Sequence, residues 1–302
     1  MYRYKRLLVN LTLNESDKVL IEQAHKIAKM AESEKVYFQY TEKKMNIPEE
    51  LVKEYPQLTE SAADFARDKI AESVNGIFNQ DNGPETMIFI QEGVVLDEML
   101  KQIRINGIDL VLVGVSDEDS DSKDLATKLA RKASCSVLAV PLTSKLDLQR
   151  SAVAIDFSDN SAYALDSALA FVRADNIEEL QMFHVYQVPS GFYKTGKSYD
   201  EFADIMKTHA EKEFGEFSKQ FNTSGISIAE HYLLSSKTVD AIENYVKENK
   251  ITFLVLGARG RSAGASIMLG SVTEKLMNKL NIPILAVKKK GSGLNLLDVL
   301  FN

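Results

Sequence analysis

The sequence predicts an α/β fold built from two tandem five-stranded parallel sheets. Three observations carry this. Apolar runs recur in the same order at a nearly constant offset, each run is short and rich in Val, Ile and Leu, and helix-patterned stretches separate them. The recurrence pairs Ser16 with Ser161, Gly114 with Gly257 and Val140 with Val287, which lie 145, 143 and 147 residues apart. Three ordered matches point to duplication, and a period this long is a whole domain rather than a solenoid unit. The boundary is expected near residue 145, in the short polar linker TSKLDLQ (143–149). This gives domains over 1–144 and 150–290 and a tail over 291–302.

In the first half LLVNL, KVYFQY, TMIFIQ, DLVLVG and SVLAVP read as strands. In the second half AVAID, LQMFHVY, SIAEHYLL, FLVLGA and PILAV do the same. Continuous apolar runs suit strands covered on both faces, as in a parallel sheet. Between them, Ala164, Leu165, Ala168 and Leu169 form one helical stripe, and Val239, Ile242, Tyr245 and Val246 form another. Alternating strands and helices make right-handed βαβ units, hence an open sheet with helices on both faces. In the tail, Leu294, Leu297, Leu300 and Phe301 could share a helical face. Two readings fit: a turn docked on the body, or a partner-binding segment.

Composition bounds the function. The 302 residues are 45% hydrophobic and 26% charged, an ordinary globular balance, with a net charge of −7. An acidic chain repels a phosphate backbone, so nucleic acid is not an expected partner. No apolar run approaches the roughly 20 residues of a membrane helix, so no membrane partner is expected either. The start MYRYKRLLVNLT turns polar too soon for a signal peptide. A lone cysteine, Cys135, allows no internal disulfide. It is read as a buried structural thiol in a reducing, cytoplasmic setting.

The most informative stretch is LGARGRSAGASIMLGSVTEKLM, from Leu256. It follows a buried strand and opens a helix near Ser271. Gly257, Gly260 and Gly270-Ser271 give the spacing G-x2-G-x9-G-[ST], which average composition produces by chance in roughly 1% of chains this long. Glycine allows positive φ and close approach of backbone to ligand. A helix N-terminus offers unpaired N–H groups and a positive dipole end to phosphate. Gly270 sits where a side chain would block a phosphate, Ser271 can donate a hydroxyl, and Arg259 and Arg261 add charge. The competing reading is a Gly-rich connector without a ligand.

These residues, with the strand ending in Asp (AIDFSDNS, Asp156) and the second strand ending in HVY, resemble the universal stress protein family. The resemblance covers the chain as two tandem copies, and it is strong in the second half and architectural in the first. It implies Rossmann-like domains and, in ATP-binding members, adenine and ribose near the first two strands with phosphates in the glycine loop. Carried over, Ala154, Ile155 and Asp156 line the adenosine site and Val185 contacts adenine. Gly257, Gly260, Gly270, Ser271 and Val272 hold ribose and phosphates, with Arg259 beside them. The implied ligand is ATP, with or without Mg2+. Read from chemistry alone, Asp156 is a strand-end acceptor facing a cleft, or an N-cap for the next helix. The resemblance also implies an intramolecular pseudo-dimer in which SVLAVP and PILAV pair, and it leaves room for a homodimer of whole chains.

The first half departs from this pattern. Leu11 stands where the second half has Asp156, no glycine follows Gly114 in its loop, and Asp117, Glu118, Asp119, Asp121 and Asp124 occupy that loop. Carboxylates there repel a triphosphate. The expectation is a domain that keeps the fold without ATP, its acidic loop solvated rather than metal-bound. A second motif, Gly191 to Ser198, satisfies G-x4-G-K-[ST], the P-loop pattern. Four residues separate it from its strand, and no later strand ends in Asp for magnesium. It is read as the loop before a helix over Tyr199 to Phe221, with Lys197 in reach of a phosphate.

No catalytic residue and no metal ligand set is predicted. His25, His184, His209 and His231 match no metal spacing, and His184 reads as core or pocket lining. The sequence-level function is an ATP-binding tandem protein acting in stress response or partner switching. The alternatives are slow ATP hydrolysis through Lys197 and Ser198, or a ligand-free scaffold.

Overall fold

A computed structural model describes residues 4–42, 48–55, 62–78, 83–260 and 269–289. The tail at 291–302 and Arg261 lie outside the described residues. In the first half the order is β1 (Arg6–Leu11), α1 (Asp17–Ala31), β2 (Lys35–Glu42), α2 (Glu49–Glu54), α3 (Ala62–Phe78), β3 (Glu85–Glu92), α4 (Val95–Asn106), β4 (Leu110–Val115), α5 (Ser120–Lys132) and β5 (Ser136–Pro141). The second half has β6 (Ser151–Ala154), α6 (Asp159–Ala174), β7 (Glu179–Tyr186), α7 (Tyr199–Ser218), β8 (Ser227–Leu234), α8 (Thr238–Glu248), β9 (Phe253–Gly257), α9 (Ser271–Lys279) and β10 (Ile284–Val287). All ten expected strands are present. The helix expected to reach Phe221 ends at Ser218.

The strands form one sheet in the order β3-β2-β1-β4-β5-β10-β9-β6-β7-β8. Each half thus has the order 3-2-1-4-5, with parallel neighbours. The halves join where β5 and β10 pair antiparallel, Leu138 opposite Leu285. Both strands are fully buried. Pairing with each other satisfies backbone groups that would otherwise form two exposed edges.

One face of the sheet carries α1, α3, α6 and α7, and the other carries α4, α5, α8 and α9. Each apolar layer runs across both halves without a break. Val9, Phe38, Val153 and Phe253 face one layer, and Leu8, Val111, Ala152 and Leu254 face the other. The linker expected to be polar is anchored instead. Leu146 and Leu148 are buried in the first layer, and the Leu146 N–H donates to Gln23 Oε1 at 2.9 Å. Two leucines spaced two apart in an extended segment can reach one core, which outweighs the polar residues between them.

The backbone repeats more closely than the side chains do. Leu13 and Phe157 have positive φ just after the first strand of each half, Glu32 and Asn176 just after the first helix, and Gly107 and Lys250 before the fourth strand. Register gives the same equivalence. Val9 pairs with Phe38 and Leu112, and Val153 pairs with Met182 and Val255. This corrects the sequence alignment by one residue, because Thr12 and not Leu11 occupies the place of Asp156. Leu11 is equivalent to Ile155, and both are buried.

Candidate functional site

In the second half, β6 hands the chain to β7 on one side and β9 lies on its other side. An open parallel sheet leaves a crevice at such a switch point, beyond the carboxyl ends of its strands. A cleft of about 480 Å³ lies there. All ten sequence-predicted residues line it: Ala154, Ile155, Asp156, Val185, Gly257, Arg259, Gly260, Gly270, Ser271 and Val272.

β6 supplies the first wall. It ends at Ala154, so Asp156 stands two residues beyond the strand rather than at its end. The chain turns at Phe157, whose φ is 61°. Asp156 is not the helix cap. Ser158 caps α6 by accepting from the Ser161 N–H, and Asp156 Oδ1 accepts from the Ser158 N–H at 3.1 Å and Oγ–H at 2.6 Å. The capping hydroxyl therefore braces the half-buried carboxylate at the cleft. β7 supplies Val185, next to last in its strand, and His184. His184 Nδ1 lies 2.7 Å from Ile155 O and its ring packs on Phe157, which ties the two strand ends together.

The loop after β9 is held by its own backbone. The Ala258 N–H donates to Val287 O, the Gly270 N–H to Ala258 O, and Thr273 Oγ1 to Gly257 O, each at 2.9 Å. Gly257, Gly260 and Gly270 are not at positive φ. What favours glycine at the first two is proximity, to backbone at 257 and to a side-chain tip at 260. A Cβ at 257 would stand 3.0 Å from the Asn160 backbone, and one at 260 would stand 2.9 Å from Asp156 Oδ2. At 270 the nearest atom among the described residues would be 3.5 Å away, so those residues leave room for a side chain there. The sequence motif thus mixes two causes, internal packing at 257 and 260 and an open approach at 270.

Gly270 is the N-cap of α9 and has no side chain to cap it. The first intrahelical bond is from the Glu274 N–H to Gly270 O. The amides of the turn before Glu274 have no partner inside the helix, and they gather the positive end of its dipole. The cleft's chemistry divides accordingly. Ala154, Ile155, Val185, Phe183 and Leu256 make an apolar wall, Asp156 is an acceptor, and the α9 start with Arg259 forms an anion-attracting end. These residues suit a ligand that is flat and apolar at one end and anionic at the other.

Sequence reasoning missed Thr238 and Ile242 of α8, which also line the cleft. Ile242 was legible only as one member of an apolar stripe. Leu269 and Thr273 line the cleft too, inside the motif but at positions its spacing does not specify.

The equivalent place in the first half is built differently. Asp119 caps α5 with its own carboxylate, accepting from the Asp121 N–H at 3.0 Å. The anion-favouring helix start therefore already carries an anion. Asp117 pairs with Lys123 and Asp124 with Lys128. A Cβ at Gly114 would strike the Leu142 side chain, which covers that strand end. Among the described residues no group of three or more His, Cys, Asp or Glu side chains could hold a metal ion.

The Gly191 to Ser198 segment lines none of the cleft. It makes a 3-10 turn over Phe192–Thr195 and then starts α7. Ser198 is the N-cap there. Its Oγ accepts from the Glu201 N–H, and Glu201 accepts from the Ser198 N–H at 2.8 Å, a reciprocal capping box. The hydroxyl that a P-loop needs for its ligand is engaged in starting a helix, and Lys197 is exposed.

The universal stress protein family model matches residues 148–288. The chain is 32% identical over 143 residues to universal stress protein YxiE of Bacillus subtilis, a match covering 45% of this chain and 96% of that one. It is 23% identical over 151 residues to universal stress protein MJ0577 of Methanocaldococcus jannaschii, covering 45% and 93%. Among solved structures, a universal stress protein from Archaeoglobus fulgidus superposes with a TM-score of 0.64 at 17% identity, over 95% of this chain and 99% of that one. A putative universal stress protein from Pseudomonas aeruginosa gives 0.67 at 13% identity, over 96% and 95%. At these identities the structural matches speak for the fold, and they span both halves. No helix among the described residues is long and apolar enough to cross a membrane.

Proposed function

Because this chain belongs to the universal stress protein family, we propose that its C-terminal cleft binds an adenine nucleotide, with ATP as the first candidate. The protein then acts as a nucleotide-dependent stress-response or partner-switching protein and not as an enzyme. One observation carries the reading: α9 begins at an uncapped glycine, at the switch point of the sheet, facing the carboxylate of Asp156 across Gly260. Ala154, Ile155 and Val185 would form the wall for the base. Asp156 would accept from a ribose hydroxyl or the base amine. The amides of Gly260, Ser271 and Val272, with Arg259, would take the phosphates, and Gly257 would let the loop lie close to α6.

The first half, taken as residues 1–144, is proposed to have lost this activity. Thr12 in place of Asp156 and the carboxylate cap of Asp119 support that reading. The second unit is taken as 150–290, and the β5–β10 pairing supports an intramolecular pseudo-dimer. Hydrolysis through Lys197 and Ser198 has no support from the cleft lining.

Thermal unfolding of the full chain with and without ATP tests the proposal. At a hundredfold excess over Kd, binding should stabilise the fold by about 2.7 kcal/mol. Gly270→Glu should fold normally, since among the described residues its Cβ meets nothing closer than 3.5 Å, yet show no ATP-induced shift. A wild-type midpoint unmoved by millimolar ATP would overturn the reading.

A further inference from the structure

α5 and α9, the helices that follow the fourth strand of each half, pack against each other across the seam. They run antiparallel, as two side-chain contacts show. Arg131, in the last turn of α5, places Nη2 2.7 Å from Oε1 of Glu274, in the first turn of α9. Lys123, near the start of α5, donates to Asn278 O near the end of α9 at 3.2 Å. The first half therefore grips both ends of the helix that opens the cleft of the second.

Glu274 creates a conflict at that helix start. A carboxylate in the first turn is drawn to the same positive dipole end that would attract phosphate. It lies about 5 Å along the axis from Ser271. Left alone, it would oppose an incoming anion. The carboxyl end of α5 adds a second negative feature beside the start of α9. That feature has a cation of its own, since Lys288 Nζ donates to Arg131 O at 3.1 Å and Ala133 O at 2.7 Å.

We propose that Arg131, from the half whose own helix start is sealed by Asp119, is a positioning residue for phosphate in the other half. It holds and neutralises Glu274, so that the start of α9 stays attractive to an anion. The inference rests on the nucleotide reading of the cleft and names what the first half does for it. A plain strut across the seam would support the fold equally for any ligand. A charge-neutralising partner acts only on the ligand's negative charge, and its effect weakens with salt because both side chains are partly exposed.

Titration calorimetry of the full chain at low salt, with ATP and separately with adenosine, distinguishes the two. Arg131→Met should weaken ATP roughly two- to tenfold, the range a helix-end charge commands, while leaving adenosine unchanged. Adding Glu274→Gln to it should restore ATP affinity. Lys26→Met, which breaks another ion pair between the halves (2.9 Å to Asp175), should change neither ligand. If Arg131→Met does not fold, Glu274→Gln alone carries the test, and it should tighten ATP about twofold or more without moving adenosine. The inference fails if Arg131→Met binds ATP as wild type does, if the double variant stays weak, or if adenosine is lost in parallel with ATP. A wild type that binds no ATP would instead overturn the cleft's reading, and this one with it.

Discussion

A methyl group at residue 257 would stand 3.0 Å from the backbone of Asn160, while one at 270 would stand 3.5 Å from the nearest atom among the described residues. The two glycines share a motif and differ in cause. Backbone atoms cannot rotate aside as a side-chain tip can, so Gly257→Ala should force α6 off the loop. The expected cost is about 1–3 kcal/mol, the range for overpacking a tight site, read from urea unfolding. Gly270→Ala should stay within about 1 kcal/mol of wild type in the same measurement. Equal losses at both positions would refute the distinction. The motif was fully legible in the sequence, but its division of labour was not, because spacing records where glycine stands and not what approaches it.

Helix starts differ in what they set against the positive end of the helix dipole. Four of them differ in one residue: Asp119 caps α5 with a charge, Ser158 caps α6, Ser198 caps α7 in a reciprocal box, and Gly270 leaves α9 bare. Sequence reading found both glycine motifs. The P-loop pattern is disfavoured in the sequence by its distance from the strand and by the lack of a later strand ending in Asp, with Lys197 left in reach of a phosphate. The structure assigns that segment to capping. Ser198→Ala should therefore cost about 1 kcal/mol of stability by loss of the cap and leave ATP affinity unchanged. Parallel denaturation and titration would check both halves of that statement. Affinity lost without stability would restore the P-loop reading.

Across the whole molecule, the β5–β10 seam buries two titratable groups that a surface would leave in water. Cys135 is fully buried, and burial pushes its thiol up to about 12 from an ordinary value near 9. Lys288 is 9% exposed, and burial lowers its ammonium to about 8 even with two carbonyl acceptors in place. The signs are opposite. Above pH 9 the unfolded chain releases the Cys135 proton while the native state keeps it, so this group's contribution is complete below pH 9 and is lost as pH rises toward 12. Between pH 8 and 10.5 the unfolded chain holds the Lys288 proton that the native state has released, so stability gains from that group with rising pH. Comparing wild type with Cys135→Ala follows the thiol's contribution, with Lys288 present in both. Their difference in unfolding free energy should be flat below pH 8.5 and then shift toward the variant by up to about 1.4 kcal/mol per pH unit from pH 9 upward. A difference that stays constant to pH 11 would mean that the thiol is not held in a dry seam.

The sequence by itself determined the duplication, the order of strands and helices, and the glycine spacing after the fourth strand of the second half, while Ala154, Ile155, Val185 and Val272 followed from the family resemblance. Apolar period and glycine spacing are local properties, and they survive without knowledge of the partner surface. It misplaced two equivalences by a single residue, matching Leu11 to Asp156 and Ser16 to Ser161, because letters were aligned where hydrogen-bond register had to be counted. Only the tertiary structure decided that Thr238 and Ile242 complete the cleft, that Leu146 and Leu148 anchor the linker, and that Arg131 meets Glu274. Those contacts join segments up to 143 residues apart. They come into being when the crossovers and the antiparallel seam fix how the two layers of helices lie over the sheet, and no local pattern encodes that distance.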